Sequence, residues 1–311
     1  VEQSEEAPDI FFIPVGGGGL ISGMSMYLKE HYPNIKVYGV ESEDAPTLFT
    51  SLRNGKPTSL DQVGLFVDGC AVKRIGEETF KISKKYVDDV ILVSIDETCA
   101  AIKDIYEDTR VMSEPAGALS IAGMKKFIAN NNVKNKKIMA VNSGANLNFD
   151  RLRHVTERAE IGEGKELLIS VKIPEESGSF RKFCEVIGKR SISEFNYRYA
   201  NEKSANVFVG IKTDNIEKDT KCIFDDLKEN KYNFIDLTQD EVAKLHLRYM
   251  VGGKPSSIIN EKLFRFEFPE KPGALLNFLN KMREDWDITL FHYRNHGSAF
   301  GRVLVGINIG T

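Results

Sequence analysis

Four consecutive glycines, Gly16 to Gly19, follow an apolar run, Ile10 to Val15, and precede a helical pattern, Leu20 to Leu28. This order reads as strand, tight turn and helix. Residues without Cβ can take φ > 0 and let the backbone approach a ligand closely. The free N–H groups of the turn and of the first helical turn then point one way, at a partial positive charge. A phosphate suits such a place. The dinucleotide fingerprint fails, because Gly17 and Gly19 are followed by Ser22 where a third glycine is needed. The P-loop fails as well, because Met24 stands after Gly23 where a lysine is needed. A small phosphorylated ligand remains, against the plainer reading of a flexible glycine turn with no ligand.

At 311 residues the chain is long for one domain, and about two or three are expected. A net charge of −3 gives no reason to expect nucleic acid or an anionic membrane. No apolar run approaches the roughly 20 residues that span a bilayer. The four cysteines, Cys70, Cys99, Cys184 and Cys222, are scattered without Cys-x-x-Cys spacing, which reads as free thiols in a reducing compartment. The five histidines form no group with metal-ligand spacing.

Further units follow the glycine helix. Short strands are expected at Ile35–Val40, Val90–Val93 and Lys137–Val141, and helices at Thr79–Tyr86, from Asp96 as N-cap to about Asp108, and from Glu114 to about Asn130. Alternating strands and helices predict a parallel sheet with crossover helices. Ligands bind at the carboxyl ends of such strands, where both Gly16–Gly19 and Ser143–Asn146 fall. Glu41, at the end of the second strand, is where a ribose-binding acid would sit in a dinucleotide site.

From about Leu167 strands alternate and a repeat emerges. Ile169–Glu175 resembles Phe264–Glu270, and Gly178 and Phe183 match Gly273 and Phe278, each 95 positions on. Phe195-Asn196-Tyr197-Arg198 matches Phe291-His292-Tyr293-Arg294, and Val207–Ile211 matches Val303–Ile307, each 96 on. Each unit reads strand, helix, strand, strand, and the first continues into a helix and strand, a ferredoxin-like βαββαβ pattern. The second stops short of that pattern, and Val1–Asp9 reads as the tail of a preceding loop. The expectation from both ends is a longer natural protein.

The segments Pro-Val-Gly-Gly-Gly-Gly-Leu, Gly-Val-Glu, Glu-Pro-Ala-Gly-Ala and Ser-Gly-Ala-Asn, in this order, resemble a fold-type II pyridoxal-phosphate enzyme. With the duplicated unit, the chain is similar to the threonine dehydratase family from Asp9 to Thr311. The resemblance implies an α/β parallel-sheet domain over residues 1–160. Two α+β ferredoxin-like, ACT-like regulatory units follow, at 161–245 and 246–311. It implies that backbone amides of Gly16, Gly17, Gly18, Gly19 and Leu20 hold the phosphate of pyridoxal 5′-phosphate and that Ser143 meets its ring nitrogen. A hydroxyl there makes a weaker electron sink than a carboxylate, which suits β-elimination. It further implies deamination of L-threonine to 2-oxobutanoate and ammonia, with isoleucine as inhibitor and valine opposing it. It suggests a homotetramer; the cytoplasm or a plastid-type organelle is the expected place, and the charge balance gives no nucleic-acid or membrane partner.

Tyr197, Arg198 and Arg248 are the effector-binding candidates, an arginine for a carboxylate and an aromatic ring for an aliphatic side chain. The other reading is that these residues hold one repeat against the other. Glu114 either faces the cofactor or begins its helix, Asp68 either serves a cation or substrate loop or caps its turn, and Cys70 packs. One departure is large: the family's Ser-Phe-Lys-x-Arg-Gly-Ala and Ser-x-Gly-Asn-His motifs are absent from these residues. His296, Lys29 and Lys73 have no matching context, so the chain alone is expected to be inactive. Two further readings stay open: a non-catalytic amino-acid sensor with a degenerate phosphate site, and a serine dehydratase or racemase.

Overall fold

The computed structural model describes residues 6–176, 178–198, 204–240, 243–244, 260–269, 273–281, 287–294 and 300–308. The chain divides into two compact units, residues 1–163 and 164–311.

The first unit carries a four-stranded parallel sheet in the order β3-β2-β1-β4. Its strands are β1 (Ile10–Pro14), β2 (Lys36–Ser42), β3 (Asp89–Val93) and β4 (Ile138–Ala140). Every residue of β1 is buried, as a central parallel strand covered on both faces requires. The alternation of side chains sorts them: Ile10 and Phe12 join Leu119, Ile102 and Cys99 on one face, while Phe11 and Ile13 join Ile21, Leu28 and Phe80 on the other. The first face is covered by α4 (Ile95–Thr109) and α5 (Pro115–Asn131). The second is covered by α1 (Gly19–His31), α2 (Thr47–Asn54) and α3 (Glu77–Tyr86). A last helix, α6 (Arg151–Gly162), closes the unit against α4.

Two local expectations change. The N-cap of α4 is Ser94, not Asp96: the Glu97 amide donates to Ser94 Oγ at 3.1 Å and the Ser94 amide donates to Glu97 Oε2 at 2.7 Å, a capping box. Asp96 lies inside the first turn, where its carboxylate is drawn to Arg158 of α6. Glu41 faces inward rather than toward a ribose. Its carboxylate accepts from the amides of Leu48 (2.7 Å) and Phe49 (2.9 Å), so it closes the N-terminus of α2 from a neighbouring strand.

The second unit is one antiparallel sheet of seven strands, β8-β5-β7-β6-β10-β11-β9. The first repeat supplies β5 (Glu166–Pro174), β6 (Ile192–Arg198), β7 (Ser204–Lys212) and β8 (Asn233–Asp236), with α7 (Ser179–Ile187) and α8 (Ile216–Glu229). The second supplies β9 (Glu261–Pro269), β10 (Asp287–Arg294) and β11 (Phe300–Asn308), with α9 (Ala274–Asn280). The repeats are expected at 161–245 and 246–311, yet they share one sheet and one core, and the unit begins at Gly164. They join through β6 and β10. Phe195 pairs Tyr293, Asn196 pairs His292 and Tyr197 pairs Phe291, so equivalent residues exchange places about a pseudo-twofold axis. Phe195, Tyr197, Phe291 and Tyr293 all enter the shared core with Phe180 and Phe183 of α7.

On the opposite face the repeats carry matching polar alcoves. Ser193 Oγ donates to Glu166 beside Gly210, and Thr289 Oγ1 donates to Glu261 at 2.6 Å beside Gly306. A Cβ at Gly210 or Gly306 would collide with these side chains. The glycines therefore make the room in which a carboxylate is kept hydrogen-bonded out of water.

Candidate functional site

The tetraglycine segment leaves the carboxyl end of β1 and enters α1. Gly18 takes φ +91° and serves as the N-cap, without a side chain to cap the helix. The Gly17 carbonyl is held from behind by Thr79 Oγ1 at 3.0 Å. Added side chains would meet very different surroundings along the run. A Cβ at Gly18 would lie 2.7 Å from Thr79 Oγ1 and 2.9 Å from Ile75, and one at Gly16 would lie 3.2 Å from Cys70 Cα. Gly17 and Gly19 face open space, with nothing within 4 Å. Among the described residues no group accepts a hydrogen bond from the amides of Gly16 to Leu20. At Gly17 and Gly19 the chain avoids side chains without any packing reason, and the turn presents several unused donors at the positive end of a helix. A dianionic phosphate fits that cradle.

Ser143 belongs to the same edge. β4 lies beside β1 in parallel register, with Phe12 opposite Ala140, and the Val141 amide donates to the Phe12 carbonyl at 3.1 Å. The chain then turns through Asn142–Asn146, where Ser143 is exposed and its hydroxyl makes only a long contact, 3.4 Å, to the Ala116 carbonyl. Two buried serines fix this turn. Ser120 Oγ donates to the Val141 carbonyl at 2.5 Å, and Ser113 Oγ lies 2.9 Å from Asn142 Oδ1 and 3.2 Å from the Gly144 carbonyl. Glu114 is the N-cap of α5 but does not cap it with its side chain. Its carboxylate lies over Gly144, where any Cβ would strike it. So Glu114 starts its helix and also leans on the loop that bears Ser143.

The turn at Asp68–Cys70 lies between these parts. Gly69 packs against Ala116, and Cys70 against Gly16. Cys70 is buried, and burial, with Glu41, Glu114 and Asp68 nearby, pushes its thiol up to about 12. It packs and does not ionise, as expected. Asp68 accepts from the Gly69 amide at 3.0 Å and pairs with Arg151 at 3.0 Å. Lys29 pairs with Asp88 at 2.6 Å and Lys73 donates to the Asp61 carbonyl at 2.7 Å, both serving the fold.

The effector candidates separate. Tyr197 is buried in the core of the second unit, and its hydroxyl donates to Glu175. Burial raises the Glu175 carboxyl above its ordinary value. Arg198 donates to both carboxylate oxygens of Glu261, at 2.5 and 3.2 Å. A carboxylate of the chain already occupies the fork that an effector would need. Arg248 and His296 lie outside the described residues. Ser113, Ser120, Thr79 and Arg151 were not singled out by motif or spacing. Their partners are 21 to 85 positions away, and a lone serine or arginine carries no signal of that.

Residues 1–144 match the pyridoxal-phosphate dependent enzyme family, and residues 157–247 and 252–311 match the C-terminal regulatory domain of threonine dehydratase. The L-threonine dehydratase biosynthetic IlvA of Escherichia coli K12 is 51% identical over 308 residues, 99% of this chain and 60% of that protein. The mitochondrial threonine dehydratase of Saccharomyces cerevisiae is 47% identical, over 96% of this chain and 54% of that protein. A solved structure, the processed form of threonine deaminase isoform 2 from Solanum lycopersicum, is 41% identical with a TM-score of 0.50. It covers 51% of this chain and 46% of that one. The chain thus spans about 60% of the length of the bacterial relative.

Proposed function

The chain joins a domain of the pyridoxal-phosphate dependent enzyme family to the C-terminal regulatory domain of threonine dehydratase, and from that premise we propose that it serves the deamination of L-threonine to 2-oxobutanoate and ammonia. The observation that carries the reading is the open glycine cradle at the same carboxyl end of the parallel sheet as Ser143. Pyridoxal phosphate, when bound, supplies an electron sink for negative charge at the substrate Cα. The residues of this chain bind and orient it. The amides of Gly16 to Leu20 hold the phosphate, and their alignment at the start of α1 favours its two negative charges. The Ser143 hydroxyl, exposed at the end of β4, would meet the ring nitrogen. A neutral hydroxyl does not hold a proton on that nitrogen as a carboxylate does, which restrains the sink and suits loss of a β-hydroxyl.

In the second unit the effectors under this reading are isoleucine and valine, acting through differential affinity for two states. Tyr197 and Arg198 take part by tying β6 to Glu175, which follows β5, and to Glu261 of β9, with Arg248 as a further candidate. An effector carboxylate at Arg198 would have to displace Glu261. Assembly as a homotetramer in the cytoplasm or an organelle belongs to the same reading.

Binding is tested with pyridoxine 5′-phosphate, which carries the phosphate but no aldehyde, by titration calorimetry on the 311-residue chain. Gly17→Ala should leave the unfolding midpoint almost unchanged yet weaken binding at least about tenfold, since a methyl enters the cradle. Gly18→Ala should cost about 2–4 kcal/mol of stability, through a left-handed φ and a clash with Thr79. Equal binding by Gly17→Ala refutes the cradle. For the reaction, the chain is substituted for the matching 308 residues of the E. coli relative. That chimera should form 2-oxobutanoate from threonine, and an inactive but folded, cofactor-loaded chimera counts against the assignment.

A further inference from the structure

We propose that α6 is a strut that sets the shape of the glycine cradle, with Arg151 and Asp68 as its positioning residues. The inference rests on the phosphate-binding reading above. Arg151, the first residue of α6, forms an ion pair through Nη2 with Asp68 Oδ2 at 3.0 Å and donates from Nη1 to the Phe66 carbonyl at 3.2 Å. The other oxygen of Asp68 accepts from the Gly69 amide at 3.0 Å. One guanidinium fork thus clamps both the approach to the turn and the turn itself. His154, one helical turn along α6, meets the Phe66 ring at 5.0 Å.

The clamped turn has no slack toward the cradle. Cys70 Cα and the Gly69 carbonyl stand 3.2 and 3.3 Å from where a Gly16 Cβ would be, and Gly69 is wedged against Ala116. Packed interiors pass displacement on rather than absorb it. If the turn moves, Gly16 moves with it.

α6 is itself anchored far from the cradle. Arg158 pairs with Asp96 at 2.5 Å with both side chains buried, and Lys103 pairs with Glu163 at 3.0 Å. Gly162 lies so close to the Asp96 carbonyl that no side chain would fit. The strut therefore registers the turn against α4.

The pair itself is partly exposed, with side chains 31% and 56% accessible, so its removal spares the fold. That permits a clean test on the 311-residue chain with pyridoxine 5′-phosphate. Arg151→Ala and Asp68→Asn should each weaken binding about five- to tenfold while the melting temperature stays within about 2 °C. Arg151→Lys should recover part of the affinity, since one ammonium reaches Asp68 but cannot form the fork. In Arg151→Ala, amide exchange should rise at residues 69–71 and at Ser22, whose amide donates to the Gly18 carbonyl, and stay unchanged at 165–173. Wild-type affinity and exchange in Arg151→Ala overturn the strut and leave the cradle standing. Failure of the wild-type chain to bind the probe overturns both. Should Arg151→Ala fail to fold, Arg151→Lys decides by the same two measurements.

Discussion

Glu41 is a carboxylate withdrawn from water at the end of β2, facing the first amides of α2. Burial raises its pKa to about 7, and the amides of Phe49, Leu48 and Thr47 pull it only partly back. A carboxyl whose folded value lies above the unfolded 4.5 holds its proton longer in the native state. Its contribution is whole below pH 4.5 and is lost as pH rises through 7. Wild type should therefore lose stability between those values relative to Glu41→Gln, which keeps an oxygen for the amides and does not titrate. The difference should approach about 3 kcal/mol. Urea midpoints of both proteins at pH 5 and pH 7.5 measure it, and parallel pH profiles would refute it. The sequence offered Glu41 as a ribose ligand because it stands at a strand end. What redirected it is a helix N-terminus supplied by the next element, with Pro46 as an N-cap that has no side-chain oxygen to offer.

At the scale of elements, α6 is held to α4 by charge rather than by its apolar face alone. Arg158 and Asp96 are both buried, and removing one strands the other in a medium that cannot solvate it. Arg158→Met should cost about 3–5 kcal/mol of first-unit stability by urea unfolding, and adding Asp96→Leu should restore most of the loss. A single variant as stable as wild type would show the pair to be incidental. The pattern around Ile95 did mark a helix start, but not which acid or hydroxyl would cap it. Ser94 and Asp96 are both good N-cap residues. The capping box needs Glu97 three positions after the cap, which only Ser94 satisfies, and it leaves Asp96 free for α6.

Across the whole molecule, the duplicated second unit is one cooperative sheet. Its two repeats bury a common aromatic cluster at the β6–β10 seam, where Phe180 meets Phe195, Tyr197 and Phe291 with ring centroids 5.0, 5.1 and 5.0 Å apart. Damage in one repeat should then be felt in the other. Gly210→Ala, which drives a methyl into Ser193 and Glu166, should raise amide exchange in residues 261–268 as well as in 166–173, and leave residues 10–14 protected. Exchange confined to the first repeat would mean that the repeats open separately.

The sequence by itself determined the local devices: the strand–glycine–helix start, the alternation of strands and helices, and a repeat with a period of 95 to 96 residues. These depend on periodicity and on residues with unusual backbones, which act over a few positions. Only the tertiary structure decided what Glu41, Asp96, Asp68 and Arg198 do. Each carries a charge that must find a partner once it leaves water, and those partners, from the Leu48 amide to Arg158, Arg151 and Glu261, lie 7 to 83 positions away. Packing brings such pairs together, and no local pattern records them.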